Sequence, residues 1–375
     1  MKRLSMNSNV YFGAGAIDAL AAFNGRRVAI ITDPAMSGNG IADSAAGLTG
    51  CGKDAIFDRI EPDSSLEQVA DCCRFIEERN ADVVIALGGG SAIDTVKAAV
   101  LVLSGKGRNV YFAAVPTTAG TGSEVTNCTV VKDTAAGRKI IVADERIVPN
   151  MAVLDYTLTK TVPKAVTAYT GMDVITHALE AYVAVNANAI TDAYAEKSLR
   201  LAFDNLYEAY LRGDSDTARE NMMMASYLAG LAFTTAGLGI CHSIAHTLGG
   251  AFNIPHGEAN AIVLPHVVAF NSGLDVPFGA DKSPSAVKYA EAARIVGIPA
   301  AGTRLTVQYL VRALEDLNNK LGIPRTLLQL GVSSADFKER RAGLIDSILK
   351  DGCTAANPVS PDAGQIGRIL DKVLG

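Results

Sequence analysis

The chain has 375 residues, 34 basic against 39 acidic side chains for a formal charge of −5, and 49% hydrophobic residues. That balance argues against nucleic acid or an anionic membrane surface as the main partner, since either needs clustered Lys and Arg. The length allows two or three domains with sizeable cores and no covalent staples.

In chain order, Arg27–Thr32 and Asp82–Leu87 are nearly continuous apolar runs, the pattern of strands covered on both faces in a parallel sheet. Helical spacing over Leu66–Glu78 and Ala92–Ser104 flanks the second run, and Ala113–Val115 and Ala152–Leu154 read as further strands. Val125–Lys132 and Arg138–Val142, separated by residues 133–137, read as a hairpin. From about Lys160 helical patterns take over, among them Thr191–Arg212, Thr217–Ala236 and Thr303–Leu321 before a Gly322-Ile323-Pro324 stop. The expectation is an α/β domain over 1–160 and an all-helical domain over 161–375.

No signal for membrane insertion or secretion stands out. Polar residues follow Met1-Lys2-Arg3, and the charge-free stretch between Glu220 and Glu258 is broken by glycines, Pro255 and three histidines. Six cysteines (Cys51, Cys72, Cys73, Cys128, Cys241, Cys353) show no C-x-x-C spacing and read as reduced thiols, so a cytoplasmic protein is expected.

Three segments carry chemistry. In Ala86-Leu87-Gly88-Gly89-Gly90-Ser91-x-x-Asp94 an apolar strand meets three glycines and a helix start, with Ser91 and Asp94 at N-cap spacing. Free N–H groups and the helix dipole there favour an anion such as a pyrophosphate; a tight turn with nothing bound is the plainer reading. The full G-x-G-x-x-G fingerprint is absent, but Asp33 ends a strand, where a carboxylate could meet an adenosine ribose or simply open a turn before Pro34. Pro116-Thr117-Thr118-Ala119-Gly120-Thr121-Gly122-Ser123-Glu124 suits either a polar cradle or a Thr-rich turn.

The histidines are the strongest signal. All five (His177, His242, His246, His256, His266) lie in the helical half, Asp173/His177 and His242/His246 at i,i+4. Imidazoles buried at helical spacing must find partners, and four of them with a carboxylate suit a divalent metal better than isolated core positions. Aspartate with imidazoles and no cysteine suits Fe(II), Zn(II), Mn(II) or Ni(II). Spacing alone leaves His242 and His246 equally eligible, and His266 reads as ordinary.

Assembled, these segments resemble the iron-dependent alcohol dehydrogenase family nearly end to end, from Val10-Tyr11-Phe12-Gly13 to Leu321-Gly322-Ile323-Pro324. The resemblance rests on the glycine and threonine segments, on Gly171-x-Asp173-x-x-x-His177, and on His242-x-x-x-His246-x-x-Gly249 with Pro255-His256-Gly257. It is nearest the short-chain propanol, propanediol and lactaldehyde oxidoreductases. It implies a dehydroquinate synthase-like architecture, with a Rossmann-like NAD-binding domain, a helical domain and a metal in the cleft. The ligands would be Asp173, His177, His242 and His256, holding Fe(II) or Zn(II), and His246 would lie beside the nicotinamide in proton transfer. Gly89, Gly90, Ser91 and Asp94 would hold the pyrophosphate and neighbouring ribose. Thr117, Thr118, Thr121 and Lys139 would line the rest of the channel, and Asp33 would favour NAD over NADP. A small alcohol or aldehyde substrate and a homodimer or higher homo-oligomer follow from the same resemblance. Two rivals are weighed against it. A dehydroquinate synthase-type lyase would want basic residues for a phosphate-bearing substrate, and the stretch from Glu220 to Glu258 has none. A metallohydrolase would want a general-base carboxylate beside its ligands, and no H-E-x-x-H occurs.

Overall fold

The computed structural model describes residues 8–135, 138–277, 279–280, 283–299 and 301–375. They form two compact units: the chain up to Val162 together with Asp214–Gly230, and Pro163–Gly213 together with Leu231–Gly375.

In the first unit, β1 (Asn9–Phe12), β2 (Val28–Thr32), β3 (Ile56–Phe57), β4 (Val83–Gly88), β5 (Tyr111–Pro116) and β8 (Met151–Leu154) make a parallel sheet in the order β1-β8-β5-β4-β2-β3. The near-continuous apolar runs are explained by what covers them. Every residue of β2 and β4 is buried, and alternate side chains enter opposite cores. Ala29, Ile31, Val84 and Ala86 pack with helices α3 (Leu66–Glu78) and α4 (Gly90–Gly105) through Val69, Ile76, Ile93 and Val96. Val28, Ile30, Val83, Ile85 and Leu87 face Leu20, Phe23 and helix α2 (Ile41–Thr49), which follows the short α1 (Pro34–Gly38). Each buried branched side chain contributes roughly 1.5–3 kcal/mol.

The expected hairpin is present as antiparallel β6 (Cys128–Asp133) and β7 (Arg138–Ala143), with Lys132 opposite Lys139. Val125 lies outside it, in a short 3-10 turn over Ser123–Val125, and Ala136 and Gly137 of the expected turn lie outside the described residues. The fully buried Lys97 of α4 ties the hairpin down: its Nζ donates to Thr126 O at 2.8 Å, Thr126 Oγ1 at 2.7 Å and Cys128 O at 2.9 Å. Burial lowers its pKa against the nearby thiol and carboxylates.

The second unit is helical: α5 (Lys164–Val183), α6 (Ala189–Leu211), the last turns of α7 (Asp216–Ala236), α8 (Ile240–Phe252), α9 (His256–Asn271), α10 (Pro284–Ile295), α11 (Gly302–Lys320), α12 (Ser334–Lys350) and α13 (Ala363–Leu374). From Gly171 to Val183 every residue of α5 is buried, so this helix is packed all round rather than amphipathic. A Cβ on Gly171 would stand 2.1 Å from Leu206 Cδ1, so only glycine admits α6 this close. Pro265 sits inside α9 and cannot donate to the Ala261 carbonyl; Asn318 of α11 donates instead, Nδ2 to O at 2.6 Å.

Among the described residues no single helix is long and apolar enough to cross a membrane. α7 and α8 reach that composition only together, and they are bent by 106°.

Candidate active site

Two turns of α5 and the first turns of α8 and α9 bring the predicted ligands together. Asp173 Oδ1 lies 3.9 Å from His177 Nε2, 3.7 Å from His242 Nε2 and 3.6 Å from His256 Nε2. Atoms bonded at about 2.1 Å to one cation stand roughly 3–4 Å apart. Asp173, His177 and His242 are all buried, whereas His256, the first residue of α9, keeps about a third of its side chain exposed. Convergence is marked by Asn260, one turn beyond His256. Its Nδ2 donates to Asp173 Oδ1 at 2.7 Å and stands 3.3 Å and 3.2 Å from the Nε2 atoms of His242 and His256.

The charge of the pocket fits a cation. Burial would raise the Asp173 carboxyl, but His177, His256 and His242 together outweigh it and hold it well below the usual carboxylate range. Burial likewise disfavours charge on His242, yet the hydrogen bonds its ring donates to Asp173 and Glu180 raise that imidazole to about 9. Two buried carboxylates draw positive charge into a buried site, against which Phe233 packs through His177. The rings are held by stacking, Phe233 on His177 at 4.6 Å and His177 on His242 at 4.6 Å. A divalent metal suits this donor set.

His246 stands apart from the Asp173 cluster. Its Nδ1 faces Asp351 Oδ2 at 3.0 Å, and its ring stacks on His256 at 5.2 Å. Asp351 Oδ1 also accepts from Cys353 N at 2.8 Å and Ser243 Oγ at 3.1 Å. Burial pushes Asp351 up, but His246 and these donors bring it down to about 2. So held, His246 points a tautomer with Nε2 free as acceptor away from Asp351.

Sequence reasoning missed Glu180, Asn260 and Asp351. Glu180 was within reach, seven residues after Asp173 on one helical face. Asn260, four after His256, was visible in the same way. Asp351 gave no local signal, since it lies 105 residues from its partner.

In the first unit the carboxyl ends of β4, β2 and β5 gather the other predicted residues. α4 begins at Gly90 with Gly89 as N-cap and no side-chain cap, which leaves its first N–H groups open to an anion. A Cβ on Gly90 would sit 2.7 Å from Thr121 Cγ2 and one on Gly89 3.3 Å from Thr118 Oγ1, so the glycine and threonine loops pack closely, most tightly at Gly90. Thr117 is buried and returns its N–H to Gly88 O at 3.0 Å.

The expected Ser91/Asp94 cap does not form. Ser91 Oγ accepts from Asp63 N at 3.2 Å, because the helix starts one residue before it. Asp94 turns inward, accepting from Ser123 Oγ at 2.6 Å and Val130 N at 3.2 Å. Asp33 caps α1 through Oδ1, from Ala35 N at 2.9 Å and Met36 N at 3.1 Å, while Oδ2 faces Gly88. Lys139 pairs with Asp63 at 2.7 Å.

Comparison with known proteins agrees with this anatomy. The family model for iron-containing alcohol dehydrogenase matches residues 7–156, and that for the C-terminal part of the Fe-containing alcohol dehydrogenase family matches residues 167–374. The chain is 36% identical to 1-propanol dehydrogenase PduQ of Salmonella typhimurium over 379 residues, covering 100% of both. It is 34% identical to an NAD-dependent methanol dehydrogenase of Bacillus methanolicus, covering 96% of this chain and 97% of that one. A solved 1,3-propanediol oxidoreductase superposes with a TM-score of 0.88 at 31% identity, covering 100% of both chains. With its Asp/His cluster, its glycine loop and these matches, the chain belongs to the iron-containing alcohol dehydrogenase family, oxidoreductases acting on alcohols.

Proposed function

We propose that this protein interconverts a short-chain primary alcohol or diol and its aldehyde, using NAD(H) and Fe(II), with Zn(II) as a possible substitute. The observation that carries it is the convergence of Asp173, His177, His242 and His256 on one point. Those four would hold the cation. When bound, the cation supplies Lewis-acid polarisation of the substrate oxygen, and the nicotinamide ring supplies or accepts the hydride.

The chain does the rest. Open N–H groups at Gly89, Gly90 and Ser91 receive the pyrophosphate, and Thr117, Thr118, Thr121 and Lys139 line the cofactor's path. Asp94 supports that loop from behind through Ser123 and Val130. The free oxygen of Asp33 repels a 2′-phosphate and so favours NAD over NADP. His246, oriented by Asp351, takes the alcohol proton at Nε2 and returns it in the reductive direction. Phe233, stacked on His177, helps keep water from the ligand cluster. A homodimer or higher homo-oligomer in the cytoplasm accompanies this reading.

The test is a panel of aldehydes of rising chain length, with NADH and NADPH, on protein reconstituted with Fe(II) or Zn(II). Metal-dependent oxidation of NADH with propanal is expected. Protein that carries stoichiometric metal yet binds no nicotinamide cofactor would sink the assignment, and phosphate release from a sugar-acid phosphate would favour a lyase.

A further inference from the structure

We propose that Glu180 makes His242 a metal ligand, by fixing which ring nitrogen carries the proton. The proposal rests on the reading of Asp173, His177, His242 and His256 as a metal-binding set.

His242 and Glu180 each have a side chain only 2% exposed, so solvent cannot set the imidazole tautomer. His242 Nδ1 lies 2.6 Å from Glu180 Oε2, and a carboxylate oxygen in that place accepts. Nδ1 therefore carries the proton, and the lone pair is left on Nε2, the atom that faces Asp173 Oδ1. Asn260 agrees, since its Nδ2 approaches that same Nε2 at 3.3 Å as a donor.

Glu180 is itself held. Its Oε1 accepts from the Cys241 N–H at 2.7 Å, in the first turn of α8, where the helix dipole favours a negative charge. Gly239, the N-cap of α8, makes room: a Cβ there would stand 2.7 Å from Oε1. One rigid helix, α5, thus carries two ligands, Asp173 and His177, and the group that orients a third on another helix. Carboxylates that orient ligating imidazoles in this way typically change metal affinity 10- to 100-fold when replaced.

Glutamine separates this role from helix capping. In E180Q the side-chain carbonyl can still accept from Cys241 N–H, so α8 keeps its cap. The amide NH2 then faces His242 Nδ1 and must donate to it, which moves the ring proton to Nε2, into the ligand position.

The experiment compares wild type and E180Q, both stripped and titrated with Zn(II) against a chromophoric chelator. A second sample takes Co(II), and its visible absorption reports the ligand set. E180Q is expected to bind Zn(II) 10- to 100-fold more weakly, with an altered Co(II) spectrum and unchanged helical circular dichroism. Long-range 15N–1H spectra of the metal-free proteins, recorded well above pH 9 where the His242 ring is neutral, should show its proton on Nδ1 in wild type and on Nε2 in E180Q. Equal Zn(II) affinity within twofold overturns the proposal. If E180Q does not fold, a neutral His242 ring protonated on Nε2 in metal-free wild type above pH 9 overturns it instead. Failure of wild type to bind any divalent metal would strike the metal-site reading itself, a different result.

Discussion

Gly257 offers the sharpest test of how the helices set the proposed metal site. It follows His256 in the first turn of α9, and α9 crosses α5 at this point. A Cβ added at Gly257 would lie 2.2 Å from the Tyr169 carbonyl oxygen and 2.7 Å from its carbon. Both atoms are backbone within α5, so neither can swing aside as a side chain would. Ordinary contact begins near 3.4 Å, so α9 must retreat from α5 by about 1 Å. Ligand positions in a metal site tolerate about 0.2 Å, and overpacking of this kind costs roughly 1–3 kcal/mol. Gly257→Ala should therefore lower unfolding free energy by that amount and weaken Zn(II) binding at least tenfold, because His256 moves while Asp173 stays on α5. Chelator competition and urea unfolding of the metal-free protein read the two effects separately. Gly250, exposed near the end of α8, is the control: nothing lies within 4 Å of its missing Cβ, so Gly250→Ala should leave metal binding intact and stabilise by up to ~1 kcal/mol. A Gly257→Ala protein with wild-type Zn(II) affinity and stability would refute the crossing as the element that sets the site.

Three further outcomes are expected. Asp33→Ser keeps a side-chain cap on α1 but removes the free carboxylate oxygen, so kcat/KM with NADPH should rise more than tenfold relative to NADH; an unchanged ratio would remove Asp33 from cofactor choice. Asp351→Asn can no longer only accept from His246 Nδ1, so kcat should fall 10- to 1,000-fold with metal content unchanged, as rapid kinetics and metal analysis will tell; full activity would leave His246 without need of orientation. Burial raises the Glu124 carboxyl from 4.5 to about 7, opposed by its own backbone hydrogen bond and Lys97. Because the folded value is the higher, Glu124 favours the folded state most below pH 4.5, and that contribution is lost as pH rises towards 7. Glu124→Gln should flatten this fall, seen as a wild-type-minus-variant difference in urea midpoints that changes between pH 4.5 and 7.5; a difference independent of pH would contradict it.

The sheet was legible because strands buried on both faces need uninterrupted apolar residues, and β2 and β4 supply them. The convergence of Asp173, His177 and His242 was legible because Asp173/His177 and the neighbourhood of His242 show helical spacing in an apolar context that ordinary polar residues avoid. Two things were not. A Ser-x-x-Asp spacing looks the same whether or not it caps a helix, and here the glycine ahead of it started α4 first, which freed Asp94 to brace the hairpin. Long-range pairing left no trace either: His246 gives no hint that Asp351 will meet it. The return of Asp214–Gly230 to the first unit is of the same kind. Gly230 lies against Gly122, each lacking the Cβ that would collide with the other's backbone at about 3 Å. Two unremarkable glycines far apart in the chain carry that contact.

The proline within α9 bears on how this half of the molecule is assembled. The helix that carries His256 and Asn260 has a carbonyl, that of Ala261, whose usual donor four residues on is lost to Pro265, and Asn318 on α11 supplies one in its place. An isolated α9 would leave that group to water, and burying it before α11 docks would cost about 1–3 kcal/mol. Helix α9 is therefore not an autonomous folding unit. Its dry, native form depends on α11, through a contact that spans 57 residues.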